Sequence, residues 1–271
     1  MATRMAIKPL KFHLITLFPE MFLALQHGIV GRALKSTFIE CDFFNPRDFT
    51  ENKQKSVDDS PYGGGPGQVM QVQPIRDAIK SIKHKASLQQ EETKIIYLSP
   101  QGKLLDHSTI QSLFDYCYAT DHNRSLTLIS GRYEGIDERI IQYDVDVEYS
   151  IGDYILSGGE LPSMVLIDAL TRLHPNALGD PQSATLDSLA NRNGILGYPQ
   201  YTRPEVIDGQ SVPKTLLSGD HEEIKRWRFE KALSQTYLKR PELLKRIKKN
   251  GLNHQERVLL QDFLDRLAKS K

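Results

Sequence analysis

Leu126-Thr127-Leu128-Ile129, running directly into Ser130-Gly131-Arg132-Tyr133-Glu134-Gly135, is the stretch whose reading decides the fold. A short apolar run rich in β-branched residues reads as a strand. A glycine-bearing turn straight after a strand is where an open parallel sheet receives a ligand. The same order recurs on either side. Lys94 to Leu98 runs into Leu98-Ser99-Pro100-Gln101-Gly102, and Val145 to Ile151 runs into Ser150-Ile151-Gly152-Asp153-Tyr154-Ile155-Leu156-Ser157-Gly158-Gly159-Glu160. Phe12 to Leu17 and Ile39 to Phe44 add two more expected strands. Helical spacing of apolar residues over 74–84, 107–117, 137–143 and 162–173 fills the intervals and the stretch after the last strand. Strand alternating with helix predicts an α/β domain built on a mostly parallel sheet covered by helices.

The pattern changes after residue 178. Gly179 to Gly197 is polar, with Asp180, Ser183, Thr185, Asp187, Ser188, Asn191 and Asn193, and reads as a linker that stays weakly ordered over 180–193 until a substrate orders it. From Tyr198 onward the chain reads as helix throughout, over 220–235, 241–249 and 254–267. Pro241 suits a first helical turn and Gly251 a helix end. The expected organisation is a ligand-binding catalytic domain at 1–178, a linker at 179–197 and a small all-helical domain at 198–271.

Composition narrows the classes. Two cysteines in 271 residues, Cys41 and Cys117, are too few for a disulfide framework and lack metal-ligand spacing. No apolar run serves as a signal-peptide core or spans a bilayer, so a cytoplasmic protein without a membrane partner is expected. The net charge of +1 conceals an asymmetry: residues 224–249 hold ten Lys or Arg against Glu230 and Glu242, while 137–160 holds seven acids against Arg139. An acidic body with a basic tail region fits a polyanion gripped by the tail, although a solvated helix face gives the same pattern.

The three glycine-bearing turns define the ligand class. Neither G-x-x-x-x-G-K-[ST] nor G-x-G-x-x-G is present, so the backbone cradle for a phosphate is missing. An adenosyl group without phosphate needs only backbone hydrogen bonds and apolar walls, and S-adenosylmethionine has that form. The expected binding residues are Leu98, Ser99, Pro100, Gly102, Gly131, Tyr133, Glu134, Gly135, Ser150, Ile151, Gly152, Tyr154, Leu156, Gly158 and Gly159. Glu134, Asp153 and Glu160 are candidate partners for the sulfonium, with Glu134 preferred.

Six ordered strings extend this reading: Leu17-Phe18-Pro19-Glu20-Met21-Phe22; Val57-Asp58-Asp59 leading to Pro61-Tyr62-Gly63-Gly64-Gly65-Pro66-Gly67; Gly131 to Gly135; Ser150 to Tyr154; Leu156-Ser157-Gly158-Gly159-Glu160-Leu161-Pro162; and Tyr201-Thr202-Arg203-Pro204. Together, over about 12–241, they make a chain that resembles the TrmD-type tRNA (guanine-N1)-methyltransferases. The resemblance implies the SPOUT fold with a deep trefoil knot, a homodimer with its active site shared across the interface, and S-adenosylmethionine bound bent in the knot. It implies transfer to N1 of the guanosine 3′ of a tRNA anticodon when another guanosine precedes it, with no DNA partner. It places Asp187 as the general base and Arg172 as its orienting or charge-stabilising partner. It also implies use of Mg²⁺, for which no carboxylate or histidine cluster has metal-ligand spacing.

On the residues alone, Asp187 reads as well as a turn cap and Arg172 as a surface pair. Tyr133 and Tyr201 are candidates to stack on a flipped base, and Trp227 is expected in the core of the small domain. Gln200 stands where many relatives carry His, and the linker is a few residues longer. The sequence keeps two kinds of alternative open: another SPOUT-type RNA methyltransferase acting on rRNA or a ribose, and a non-catalytic nucleotide- or RNA-binding protein.

Overall fold

Every residue of Leu10–Ile15 (β1) except Lys11 is buried, the pattern of a strand covered on both faces. The computed structural model describes residues 8–119, 122–178, 188–190, 194–247 and 252–269. The chain divides into two compact units, residues 1–179 and 180–271.

In the first unit β1 is followed by α1 (Gly28–Lys35), β2 (Ile39–Phe44), β3 (Asp58–Asp59), β4 (Val69–Met70), α2 (Val72–Leu88), β5 (Glu91–Leu104), α3 (His107–Tyr118), β6 (Asn123–Ile129), α4 (Glu138–Tyr143), β7 (Val147–Ser150) and α5 (Glu160–Leu173). Five strands form one sheet in the order β2-β1-β6-β5-β7, and every neighbouring pair is parallel. Alternation of side chains divides the core between its faces. Phe12, Leu14, Leu126 and Leu128 pack with Val30 of α1, Leu113 of α3 and Leu166 and Leu170 of α5. Ile15, Ile95 and Ile129 pack with Ile75, Ile79 and Ile82 of α2 and Ile140 of α4. Each such side chain stabilises the fold by about 1.5–3 kcal/mol. The expected α/β architecture is therefore present, with helices on both faces.

Two local features depart from expectation. β5 is much longer than the apolar run 94–98, because the chain leaves the ladder after Leu98 and rejoins it at Lys103, both paired with Tyr149. Helix α1 is also additional: its eight residues include two glycines, which leave too short a periodic pattern to read.

A buried polar cluster lies near the amino ends of the central strands. His13, wholly buried, places Nε2 3.0 Å from Glu91 Oε1 and Nδ1 3.4 Å from Asp42, while Lys11 Nζ donates to Glu91 Oε2 at 3.0 Å. Burial alone would push the Glu91 carboxyl up. Hydrogen bonds from His13 and Lys11 outweigh it and hold the group at about 2, below its ordinary 4.5. A depressed carboxyl pKa contributes stability in full above the unfolded value and loses it as pH falls through the folded one. Glu91→Gln is therefore expected to cost about 2–4 kcal/mol at neutral pH. In urea unfolding the gap between variant and wild type should narrow as pH drops from about 4.5 toward 2. A gap that stays constant over that window would remove Glu91 from this role.

The second unit holds β8 (Val206–Ile207), β9 (Gln210–Ser211), α6 (His221–Lys239), a 3₁₀ turn at Pro241–Arg246 and α7 (His254–Lys269). Asp220 caps α6 by accepting from the amides of Glu222 and Glu223. Leu233, Ala232, Ile195, Leu252 and Leu260 form its core. The unit is mainly helical, but helix throughout is corrected by an antiparallel hairpin whose turn is Asp208-Gly209, both at positive φ. That dipeptide is itself a strong hairpin signal, here embedded in a polar stretch without flanking apolar alternation. Within the expected linker, residues 188–190 make a turn tied to the second unit: Gly197 N donates to Ser188 Oγ at 2.8 Å and Leu189 N to Ile195 O at 3.0 Å. The rest of the 180–193 expectation lies outside the described residues.

Candidate functional site

The glycine-bearing turn at the irregularity within β5 and those after β6 and β7 meet around one cavity of about 530 Å³. Its place beyond the carboxyl ends of adjacent parallel strands is where an open α/β sheet accepts a ligand, and its size lies within the range of small-molecule sites.

From the first turn, Leu98, Ser99 and Pro100 face the cavity, and the Ser99 hydroxyl donates to Glu148. Gly102 is different. A Cβ there would sit 2.4 Å from Tyr149 N, so its glycine lets β5 press back on β7, and it does not reach the cavity wall. Gly102, expected at the ligand, thus stands outside the cavity lining, and its glycine serves the close approach of β5 to β7.

The second turn contributes Gly131, Tyr133, Glu134 and Gly135 to the wall. It is clamped from outside, since Glu134 N donates to Gln68 O and Met70 N to Gly135 O, each at 2.9 Å. The string around Pro66-Gly67 thus leads into the segment that supports the cavity. Tyr133 holds a φ of 61°, a conformation uncommon for a bulky side chain and concentrated at ligand sites.

Ser150, Ile151, Gly152, Tyr154, Leu156, Gly158 and Gly159 of the third turn complete the wall. Gly159 N donates to Gly131 O at 2.9 Å, and a Cβ on Gly159 would lie 2.7 Å from Ser130 Cα. Two backbones therefore touch at this point, and only glycine permits it.

Arg132 fastens the same crossing from behind. Its Nε lies 2.9 Å from Glu160 Oε2, Nη1 donates to Ser157 O at 3.1 Å, and the guanidinium stacks over Phe18 at 4.5 Å with Nη2 against Met21 Sδ. Glu160 is completely buried, and its other oxygen accepts from Thr16 Oγ1 at 2.9 Å. The string Leu17 to Phe22 acquires a function here, as the platform on which Arg132 rests. Glu160, committed to Arg132 and Thr16, is not available to a sulfonium. Asp153 is absent from the wall as well, which leaves Glu134 of the three candidates, with Glu138 beside it.

Of the expected catalytic pair only Arg172 is among the described residues, and it is not part of this cavity's lining. Arg172 is in the last turn of α5, ten residues beyond Pro162 on the cavity wall, which puts it about 15 Å along the helix. On the exposed face of the same helix, Leu161 and Val165 are apolar and one turn apart. Asp187 lies outside the described residues. Among the described residues no three His, Cys, Asp or Glu side chains gather as metal ligands, so no residue is given to Mg²⁺. A larger cavity, about 920 Å³, lies in the second unit among Tyr198, α6 and α7, with acids and bases mixed along its walls and none of the three turns.

Sequence comparison bears on the whole of this arrangement. Residues 10–246 match the family model described as tRNA (Guanine-1)-methyltransferase TrmD. A tRNA (guanine-N(1)-)-methyltransferase of Marinomonas sp. (strain MWYL1) is 50% identical over 94% of this chain and 96% of its own length. The enzyme so named from Idiomarina loihiensis is 51% identical, covering 95% and 96%, and that from Glaesserella parasuis serovar 5 is 52% identical, covering 93% and 95%. No helix among the described residues is long and apolar enough to cross a membrane.

Proposed function

Because this chain belongs to the TrmD family of tRNA (guanine-1)-methyltransferases, a SPOUT family, we propose that it carries a methyl group from S-adenosylmethionine to N1 of the guanosine 3′ of a tRNA anticodon. The observation that carries the proposal is the cavity at the three glycine-bearing turns, with apolar walls and the Glu134 carboxylate for a cationic donor. Backbone N–H and C=O groups of the turn within β5 and of the turn after β7 would hold the adenine edge, and Leu98, Ile151 and Leu156 its faces. The bound donor supplies an electrophilic methyl on a sulfonium. The close passage of Gly159 over Ser130 and Gly131 supports a knotted crossing of the kind the family fold implies.

Methylation at N1 forms a C–N bond from a nitrogen that carries a proton, so a base must accept that proton as the S–C bond breaks. The family motif assigns this to the Asp187 carboxylate. Negative charge gathers on the guanine O6 as the proton leaves, and the Arg172 guanidinium would offset it in a site poor in water. Arg172, about 15 Å along α5 from the wall residue Pro162, would act at the target guanine of the partner's site in a homodimer, with Leu161 and Val165 at the contact. Turning the target base out of its stack is a further requirement of the chemistry.

The test is methyl transfer from radiolabelled S-adenosylmethionine to unmodified tRNA transcripts, with the two guanosines at and before the target varied one at a time. The label should appear as 1-methylguanosine and vanish when the target guanosine is replaced. Label on a ribose, or none on any transcript, would sink the assignment.

A further inference from the structure

Trp227 does not join the core of the second unit. It precedes Leu233, the buried centre of α6, by six residues, which turns it about 120° round the helix from the core-facing side. Half-buried there, it meets Tyr201 at 6.3 Å between ring centroids with the planes tilted by 56°. Tyr201 is 49% exposed, and the whole segment 200–205 around it lies in solvent. An aromatic pair left this open on one helix flank leaves ring faces uncovered that would favour a flat apolar partner.

The charges beside it select the partner. Three cations of the basic segment are neutralised locally: Lys225 pairs with Glu222, Arg226 with Glu230 and Arg240 with Glu242. Arg228 stacks on Tyr198 at 4.9 Å. Lys231 instead lies 6.0 Å over the Trp227 ring, one turn along α6, and neither it nor the exposed Arg203 makes an ion pair among the described residues. An exposed Tyr201 ring against Trp227, with Lys231 over the indole and Arg203 two residues along the chain from Tyr201, matches a base with its adjoining phosphates, the chemistry of single-stranded nucleic acid.

We propose that Tyr201 and Trp227 form a stacking platform for an unpaired nucleobase in a loop of the RNA substrate, with Lys231 and Arg203 on the adjoining phosphates. The proposal rests on the reading of the protein as a tRNA methyltransferase and adds to it a base-binding site in the second unit.

Trp227 is the only tryptophan in the chain, so its emission reports this site alone. Titrating the full-length protein with a tRNA transcript is expected to change that emission in step with complex formation on filters. Inorganic polyphosphate, which offers charge without bases, should leave it unchanged. Tyr201→Ala should weaken tRNA binding about 5- to 150-fold without altering the slope of log Kd against log salt, and Tyr201→Phe should bind as the wild type does. Lys231→Ala should instead lower that slope by about one ion. Bound tRNA with silent Trp227, equal response to polyphosphate, wild-type affinity in Tyr201→Ala, or loss in Tyr201→Phe as deep as in Tyr201→Ala overturns the platform alone. If the wild type retains no tRNA on filters, the substrate assignment fails and the platform with it.

Discussion

Asp187→Asn is expected to lower turnover by about 10²- to 10⁴-fold, the range a positioned general base contributes, while affinity for S-adenosylmethionine changes by less than about twofold. Asparagine keeps the size of the side chain and can still accept a hydrogen bond from guanine N1, but its amide cannot take the proton. The loss should therefore fall on kcat, measured in single-turnover methyl transfer, and not on donor binding, measured by calorimetry. The separation follows from the distinct roles, since the described residues that line the donor cavity all come from 97–162. Arg172→Ala should show the same division, because its helix position keeps it off the cavity wall of its own chain. Turnover retained in Asp187→Asn would remove the carboxylate from the role of base, and a parallel loss of donor affinity would show that it shapes the cavity instead.

The sheet could be read in the sequence because its strands are buried on both faces. Leu126 to Ile129 and Phe12 to Ile15 are nearly continuous apolar runs, and their helices carry the apolar face of a covered layer. The ligand loops were legible for a related reason, since each glycine-bearing turn directly follows such a run. What sequence could not supply was pairing across distance. Glu160 looks like any exposed acid after two glycines until Thr16, 144 positions earlier, is found on one oxygen and Arg132 on the other. Gly102 reads as a ligand glycine because nothing local reveals that β5 returns to the ladder against Tyr149. Trp227 reads as core because tryptophan is mostly buried, and its place on the flank of α6 becomes clear only against the position of Leu233. The Asp208-Gly209 hairpin lies in a polar stretch that lacks the apolar alternation by which its short strands would be recognised.

Breaking the Arg132 to Glu160 contact should produce the largest loss of stability. Glu160→Gln removes the charge that offsets a guanidinium only 15% exposed, and the cost of leaving such a partner unpaired is about 3–5 kcal/mol. At roughly 2–4 °C per kcal/mol for a chain of this size, the melting midpoint should fall by on the order of 10 °C. Replacing both groups with apolar side chains of similar length, Arg132→Met with Glu160→Met, removes the stranded charge along with the pair, so it should recover much of that loss. Donor affinity should not recover with it. The pair holds Ser157 O and the Gly158 backbone against the turn at Gly131, and these form one wall of the cavity. The double variant is therefore expected to melt near the wild type yet bind S-adenosylmethionine at least tenfold more weakly, a loss of about 1.4 kcal/mol. Equal recovery of stability and of donor affinity would mean that Arg132 and Glu160 merely fill space, and that the turn at 157–159 holds its shape without them.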